Sequence, residues 1–446
     1  MRSLPAILVV VCCAAPAVRA DTVVYPTGSY PADHQAVQAA VSGGGRVLLK
    51  AVNAAGAPTP FDFGPPVAGS GFVRLTTDVE VRGEIAAGEQ TTIRGGNAPF
   101  LGENPVRSAI KDIHFDGPRA AAIILAGSSG AEISGNFIHD VVGMPWTATE
   151  TKAMGVWVIG QPAGGYRPIT GTVTISNNTI ADMHGHDGLG LALVGYEADT
   201  RVTGNDIRGT NFMGILAFAH VGPTWIQDNT VVPGPETYPG TYSAGIGIQV
   251  GPLFVGDFPQ PTAPALVHNN RVACVNPNAD GIVLFGGDLP LDRSVVANNR
   301  VTMASSAFGG ITLYDNVSHT VVAANHVRGD GAYAVDAIAY SGPPLQGNMF
   351  FANNTARFDE TVADVYLAGT TEDSWVVGCQ GTALDEGNGN HVFGCPADGV
   401  RDRVPGPPGR EAGAARRDAA ALLSGMRAAS RAIREEASAT GPAKDR

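Results

Sequence analysis

The chain has 446 residues, 58 of them glycine, with 44% hydrophobic and 16% charged residues. A formal net charge of −12 disfavours a nucleic-acid partner, and any acidic polymer would need a local basic pocket. The glycine content and the scarcity of helix formers before residue 400 point to many turns and short strands.

Residues 1–20, "MRSLPAILVVVCCAAPAVRA", set one arginine before a short apolar run and end in small residues at Ala20. This predicts a signal peptide cleaved after Ala20, and hence a secreted or periplasmic protein. No other apolar run reaches the roughly 18 residues of a membrane span. Beyond Ala20 the chain keeps Cys274, Cys379 and Cys395. In an oxidising compartment Cys379 and Cys395 are expected to form a disulfide, leaving Cys274 as buried apolar filler. Residues 33–42, "DHQAVQAAVS", predict a capping helix with Asp33 as N-cap and Val37, Ala40 and Val41 on one face.

From residue 109 onward the chain repeats itself. "AEISGN" (131–136), "VTISNN" (173–178), "TRVTGN" (200–205), "TWIQDN" (224–229), "ALVHNN" (265–270), "SVVANN" (294–299), "TVVAAN" (320–325) and "MFFANN" (349–354) are short alternating strands ending in asparagine. "AIKDIHFDG" (109–117) is an earlier copy with Ile113 in the asparagine slot. After most copies comes a glycine-led strand such as "GLGLALVG" or "GIGIQVG". A period of about 23–29 residues without a helix is too short for βαβ units and suits a solenoid whose equivalent residues stack about 4.8 Å apart. Asn136, Asn178, Asn205, Asn229, Asn270, Asn299, Asn325 and Asn354 are expected at one corner, bonded to one another and tolerating a left-handed backbone.

These strands, corner asparagines and the "NNxV…GI" rhythm resemble the right-handed parallel β-helix of the pectate-lyase-like superfamily, over about residues 22–400. The resemblance implies an all-β, single-stranded right-handed parallel β-helix over 21–400. A Pro/Gly linker and an Ala/Arg-rich tail, a marginal helix or disordered, follow over 401–446. The superfamily includes lyases, hydrolases, epimerases and non-catalytic surface proteins, so the chemistry must come from the residues.

Two asparagine spacings, Asn136–Asn178 and Asn229–Asn270, are long enough to hold insertions. The first carries Trp146, Lys152 and Tyr166; the second carries Tyr238, Tyr242, Phe254 and Phe258. Trp146 and Tyr166 are candidates for stacking against sugar rings. Phe218, Phe285, Tyr314 and Tyr340 share a position on the glycine-led strands, with Trp157 and Tyr366 two places earlier. Packing within the solenoid is their expected use, with Trp157 also a binding candidate.

Counting three places on from the asparagine puts His139, Ala181, Arg208, Val232, Ala273, Thr302, Arg328 and Arg357 in one column. Asp140 and Asp182 follow one place later, on adjacent coils, and form a candidate calcium pair. "HGHD" adds His184, His186 and Asp187 near Arg208, Asn211 and His220. No zinc-ligand spacing is present. "GHDG" with Arg208 one coil later is similar to the "DPHD" segment and following arginine of alginate C5-epimerases, although the Asp-Pro is absent. That similarity implies His186 as base, Asp187 as its orienting partner and Arg208 as the group that neutralises a uronate carboxylate. His184 completes the catalytic set, and His139, Asn211 and His220 the binding set.

The polygalacturonase pattern is missing: only "NPNADG" (276–281) resembles its first element, and no "DD" or "RIK" occurs. The near absence of lysine from the repeats speaks against a pectate lyase proper. The expected function is binding and modification of an acidic polysaccharide by lyase- or epimerase-like proton abstraction, by a monomer, with calcium the one cofactor considered. The alternative is a non-catalytic secreted or surface β-helix used for attachment.

Overall fold

The computed structural model describes residues 21–395, apart from 69–70, 87, 104–105, 146–150, 161–167, 186, 197–198, 235–244, 253–262, 276–278, 288 and 340–342. The expected signal peptide, the 401–446 tail, Trp146, Tyr166, His186, Tyr238, Tyr242, Phe254, Phe258 and Tyr340 lie outside the described residues.

Each coil presents three faces in sequence. A short strand such as Val173–Ser176 leads to the asparagine corner and a second strand such as Thr179–Ile180. A longer glycine-led strand, here Asp187–Tyr196, follows. First-face strands stack into a 14-stranded sheet running from Thr22–Val24 to His391–Phe393. Second- and third-face strands form a 21-stranded sheet because in late coils they run together, as in Arg300–Tyr314 and His326–Ile338. Pairing from coil to coil is parallel with no helix between. The chain is therefore an all-β, right-handed parallel β-helix. The antiparallel pairings among the described residues are local: Met144–Pro145 against Thr151–Ile159, Ile85–Ala86 against Glu89–Gln90, and a Val52/Pro58 bridge. Among the described residues no helix is long and apolar enough to cross a membrane.

Alternation explains the core. Every second first-face residue points inward, so Ile133, Ile175, Val202, Ile226 and Val267 form one buried column across successive coils. The leading glycines answer to the same packing. A Cβ on Gly214 would lie 2.1 Å from Val231 Cγ1, and one on Gly247 2.3 Å from Val272 Cγ1. The third face can enter the core beside these valines only where no side chain intervenes.

The corner asparagines form a continuous buried ladder. Both the backbone N–H and Nδ2 of Asn178 donate to Asn205 Oδ1, at 3.0 and 2.9 Å, and Asn205 donates in the same way to Asn229. Ile113, without an amide side chain, starts the series by donating its N–H to Asn136 Oδ1 at 3.1 Å. Two expectations are corrected. In the repeat 349–354 the ladder residue is Asn353, which accepts from Asn325 at 3.0 Å, while Asn354 pairs with His326 at the start of the next strand. The left-handed backbone belongs to the residue before the ladder: Asn177 (φ 55°), Asp228 (φ 58°), Asn269 (φ 56°) and Asn298 (φ 56°). Division of labour explains this, since the turn residue faces out and the ladder residue faces in.

Both long spacings keep the register. Phe137 pairs with Thr179 and Ile138 with Ile180, as Thr230 pairs with Arg271 and Val231 with Val272. The additional residues divide into loops on either side of the third-face strands Thr151–Ile159 and Ile246–Gly251. On coils 121–220 the outer side of this face carries Ile124, Met154, Trp157, Leu189, Ala192, Leu216 and Phe218, all buried in one apolar cluster.

The cap is the helix Ala32–Ser42, burying Val37, Ala40 and Val41. Asp33 is not its N-cap; Pro31 holds that position without a side-chain cap. Asp33 sits buried in the first turn, where its carboxylate accepts from Thr27 N, Thr27 Oγ1, Ser29 N and Asp62 N at 2.6–3.1 Å. It ties the cap to the first coils. At the other end Cys379 and Cys395 are disulfide-bonded, and Cys274 is a buried free thiol whose pKa burial pushes up.

Candidate functional site at the HGHD corner

The corner between the second and third faces brings together residues far apart in sequence. Met183 bridges Val141 on one side and Thr210 on the other, and His184 N–H donates to Val141 O at 2.8 Å. "HGHD" thus lies between the coil of His139 and the coil of Arg208.

Three side chains fasten it. His184 Nε2 meets Asp140 Oδ1 at 2.8 Å, and the second oxygen of Asp140 meets His139 Nδ1 at 2.5 Å. The hydrogen bonds from His184 and His139 hold the Asp140 carboxyl below its ordinary pKa. Asn211 Nδ2 donates to Gly185 O at 2.9 Å. Asp187 pairs with Lys152 Nζ at 2.6 Å, both largely buried, because the two residues are register partners on adjacent third-face strands. A buried ion pair of this kind is costly to break from either side.

Beyond Asp140 the cluster continues across the second face. His139 Nε2 lies 2.6 Å from His114 Nε2, and Phe137 stacks between neighbouring coils at 4.8 Å from the His114 ring and 4.7 Å from that of His139. Burial, with the neighbouring His139, lowers the His114 pKa. Ligand atoms of Asp116, His139 and Asp140 all lie within 4.8 Å of one another. One imidazole and two carboxylates do not fit calcium, which takes six to eight oxygens. Both His139 nitrogens are, moreover, already engaged. Asp182, with φ 54° like Asp140 at 55°, occupies the equivalent turn of the next coil and is not in this group.

The remaining candidates have other placements. Arg208 is exposed and holds Asp206 with two hydrogen bonds, Nε to Oδ1 at 2.7 Å and Nη2 to Oδ2 at 3.0 Å. Trp157 and His220 are fully buried, so neither side chain faces solvent. Burial lowers the His220 pKa to about 4. Asn211, 5% exposed, positions Gly185 rather than presenting its amide outward. The aromatic column runs Phe285, Tyr314, Ile338, with Tyr366 one column away stacked on Tyr333 at 4.6 Å.

Sequence reasoning missed two features. Lys152 was placed in an insertion, yet it is a strand residue; only its register partner reveals it. Asp336 lies in the outward third-face column that Trp157, Ala192 and Leu216 occupy earlier. It accepts from Thr312 Oγ1 at 2.7 Å, and burial raises its carboxyl well above the usual range. The change from apolar to Thr312, Asp336 and Tyr366 along that column was the available signal.

No family model and no curated protein matches the chain. Solved structures give fold-level likeness. A mutant of DFA-IIIase from Arthrobacter chlorophenolicus A6 aligns at 13% identity and TM-score 0.39, covering 79% of this chain and 76% of that one. The A-modules of two mannuronan C-5 epimerases from Azotobacter vinelandii align at 13% and 12% identity, with TM-scores of 0.36 and 0.33. They cover 76% and 78% of this chain and 94% and 96% of their own. Likeness of this degree concerns the course of the chain and is not carried to its side chains.

Proposed function

We propose that this is a secreted or periplasmic carbohydrate-active protein that binds an acidic polysaccharide and modifies it by proton transfer at the HGHD corner. The observation that carries this reading is the triple fastening of that loop. His184 to Asp140, Asn211 to Gly185 O and Lys152 to Asp187 fix three of its four residues from the two coils on either side. A decorative surface loop needs no such investment of buried polar contacts.

The C5 proton of a uronate is removable only when the adjacent carboxylate charge is offset. His184, oriented through Nε2, keeps Nδ1 without a partner among the described residues and can take or return a proton there. His186, between the fastened Gly185 and Asp187, retains the role of base that the "DPHD" similarity implies. The ion pair with Lys152 fixes Asp187, to which the same similarity gives the role of orienting partner. Arg208 supplies the offsetting charge once the substrate carboxylate replaces Asp206. Breaking of the C4–O glycosidic bond, with the proton returned to the leaving oxygen, then gives an unsaturated lyase product; reprotonation of C5 from the opposite side gives the epimer.

The non-catalytic alternative has one observation in its favour. A groove of about 720 Å³ lies among Arg271, Arg300 and Arg328, away from HGHD. The two readings separate on a panel of uronate polysaccharides, followed by absorbance of unsaturated products and by NMR for epimerisation. We expect turnover by the wild type and a loss of about 10²–10⁴-fold in His184→Ala and His186→Ala with folding intact. Absence of turnover on every acidic glycan, or wild-type rates in both variants, removes the catalytic reading.

A further inference from the structure

We infer that the second face of the C-terminal coils is an anchoring track for an anionic glycan, with Arg271, Arg300 and Arg328 clamping successive carboxylates. This rests on the proposed acidic substrate and adds where the chain is held, on coils distinct from the HGHD corner.

The register builds the track. Arg271 pairs with Arg300 and Arg300 with His326, so three basic or titratable side chains stand in one column on consecutive coils. Arg328 lies in the neighbouring outward column, after Thr302. All four side chains line the same groove of about 720 Å³. The three arginines are exposed.

Among the described residues these arginines have no carboxylate to neutralise them. Several other arginines meet carboxylates, as Arg74 does Glu103, Arg82 Asp112, Arg94 Asp116, Arg208 Asp206 and Arg293 Asp292, while Arg201 lies over the Trp225 ring. Among the described residues no carboxylate lies within 4.0 Å of Arg271, Arg300 or Arg328. Arg328 has one neutral partner, donating from Nε to Thr302 Oγ1 at 3.0 Å. Towards the asparagine corner the groove passes Asp228, whose carboxylate accepts from Asn269 Nδ2. Like charges opposite one another on adjacent strands cost stability. In a chain of net charge −12 three unpaired neighbours hold a local positive field that an anion relieves.

The spacing selects the occupant. Consecutive coils stand about 4.8 Å apart, close to the advance of an extended sugar chain per residue, so one acidic sugar matches one coil. Arginine receives a carboxylate with two parallel hydrogen bonds. Thr230, Thr302 and Asn298 add hydroxyl and amide groups suited to sugar hydroxyls, while Val232 and Ala273 offer small apolar surface. Among the described residues no Phe, Tyr or Trp lines the groove for bases to stack upon, which argues against single-stranded nucleic acid. His184 lies on the coil of Asn178 and Arg271 on that of Asn270, three coils or about 14 Å apart. An oligomer of roughly six sugars therefore reaches from the track to the corner.

The test is affinity electrophoresis through gels containing polygalacturonate, alginate, a neutral β-glucan or polyphosphate, at about 0.05 M and 0.5 M NaCl. The proteins are the wild type, the triple variant Arg271→Ala/Arg300→Ala/Arg328→Ala, the single variant Arg300→Ala and, as a control arginine outside the groove, Arg293→Ala, each checked for folding by thermal melting. The wild type is expected to be retarded by at least one uronate polymer, less so at high salt, and not by the β-glucan. The triple variant should lose at least tenfold in affinity and Arg300→Ala part of that, while Arg293→Ala binds as wild type. Failure of turnover with arginine-dependent binding intact overturns the catalytic proposal alone. Wild-type affinity in a folded triple variant, retention by the neutral glucan, absence of any uronate binding, or stronger arginine-dependent retention by polyphosphate each overturns the track. Should the triple variant not fold, Arg300→Ala decides alone: unchanged affinity overturns the track.

Discussion

Arg208 illustrates how a neighbour two residues away changes what a side chain can do. Its guanidinium is the charge that a uronate needs, and Asp206 already occupies both of its parallel donors. The pair is exposed, so its net strength is small and a substrate carboxylate can compete with it. Asp206→Asn should therefore tighten binding of an acidic oligosaccharide by roughly threefold to tenfold, by removing the competitor; titration calorimetry against the wild type reads this directly. Unchanged or weaker binding would mean that Arg208 does not meet the ligand. His220 makes a second prediction at this scale. Its pKa falls to about 4 because it is buried neutral, against an ordinary 6.5 in the unfolded chain. The unfolded state thus takes up the proton first, and the contribution of neutral His220 is fully present above pH 6.5 and lost as pH falls towards 4. The amount is on the order of 3 kcal/mol. In His220→Asn the stability difference from wild type should shrink over that window in urea unfolding; a constant difference would contradict the assignment.

Among the elements, the asparagine ladder has the clearest energetics. Removing Asn205 Oδ1 strands the backbone N–H of Asn178 in a buried corner and takes one partner from its Nδ2, and removing Asn205 Nδ2 takes one of the two donors from Asn229 Oδ1. Asn205→Ala should cost about 3 kcal/mol, whereas the exposed turn residue Asn298→Ala should cost much less; equal losses would refute the ladder as a stabilising element. The ladder was also the most legible feature, because one residue type recurring at the coil period has few other uses. It misled only at 349–354, where the doublet Asn353–Asn354 offers two choices. There a bulge between His326 and Arg328 restores the column, so Arg357 still pairs with Arg328. Lys152–Asp187 was illegible for a different reason. The partners are neighbours only through third-face register, and the first insertion conceals where that strand begins. The burial of Trp157 was equally hidden, since periodicity gives the side of a strand and not what covers it.

At the scale of the whole molecule, the solenoid sets polar side chains on a ruler. The second face carries the histidine cluster of His114, His139 and Asp140 on its early coils, the Arg208–Asp206 pair midway and the unpaired arginines later. An extended acidic chain lying along that face would meet each in turn, with HGHD at its edge. The measurement that tests this most directly is proton NMR of a polyuronate incubated in D₂O with the wild type, His184→Ala or His186→Ala. Proton abstraction predicts deuterium at C5 or an unsaturated product with the wild type, and a loss of both in the folded variants. If the wild type binds the polymer yet leaves every C5 proton in place, the corner does no chemistry and the proposed activity is contradicted.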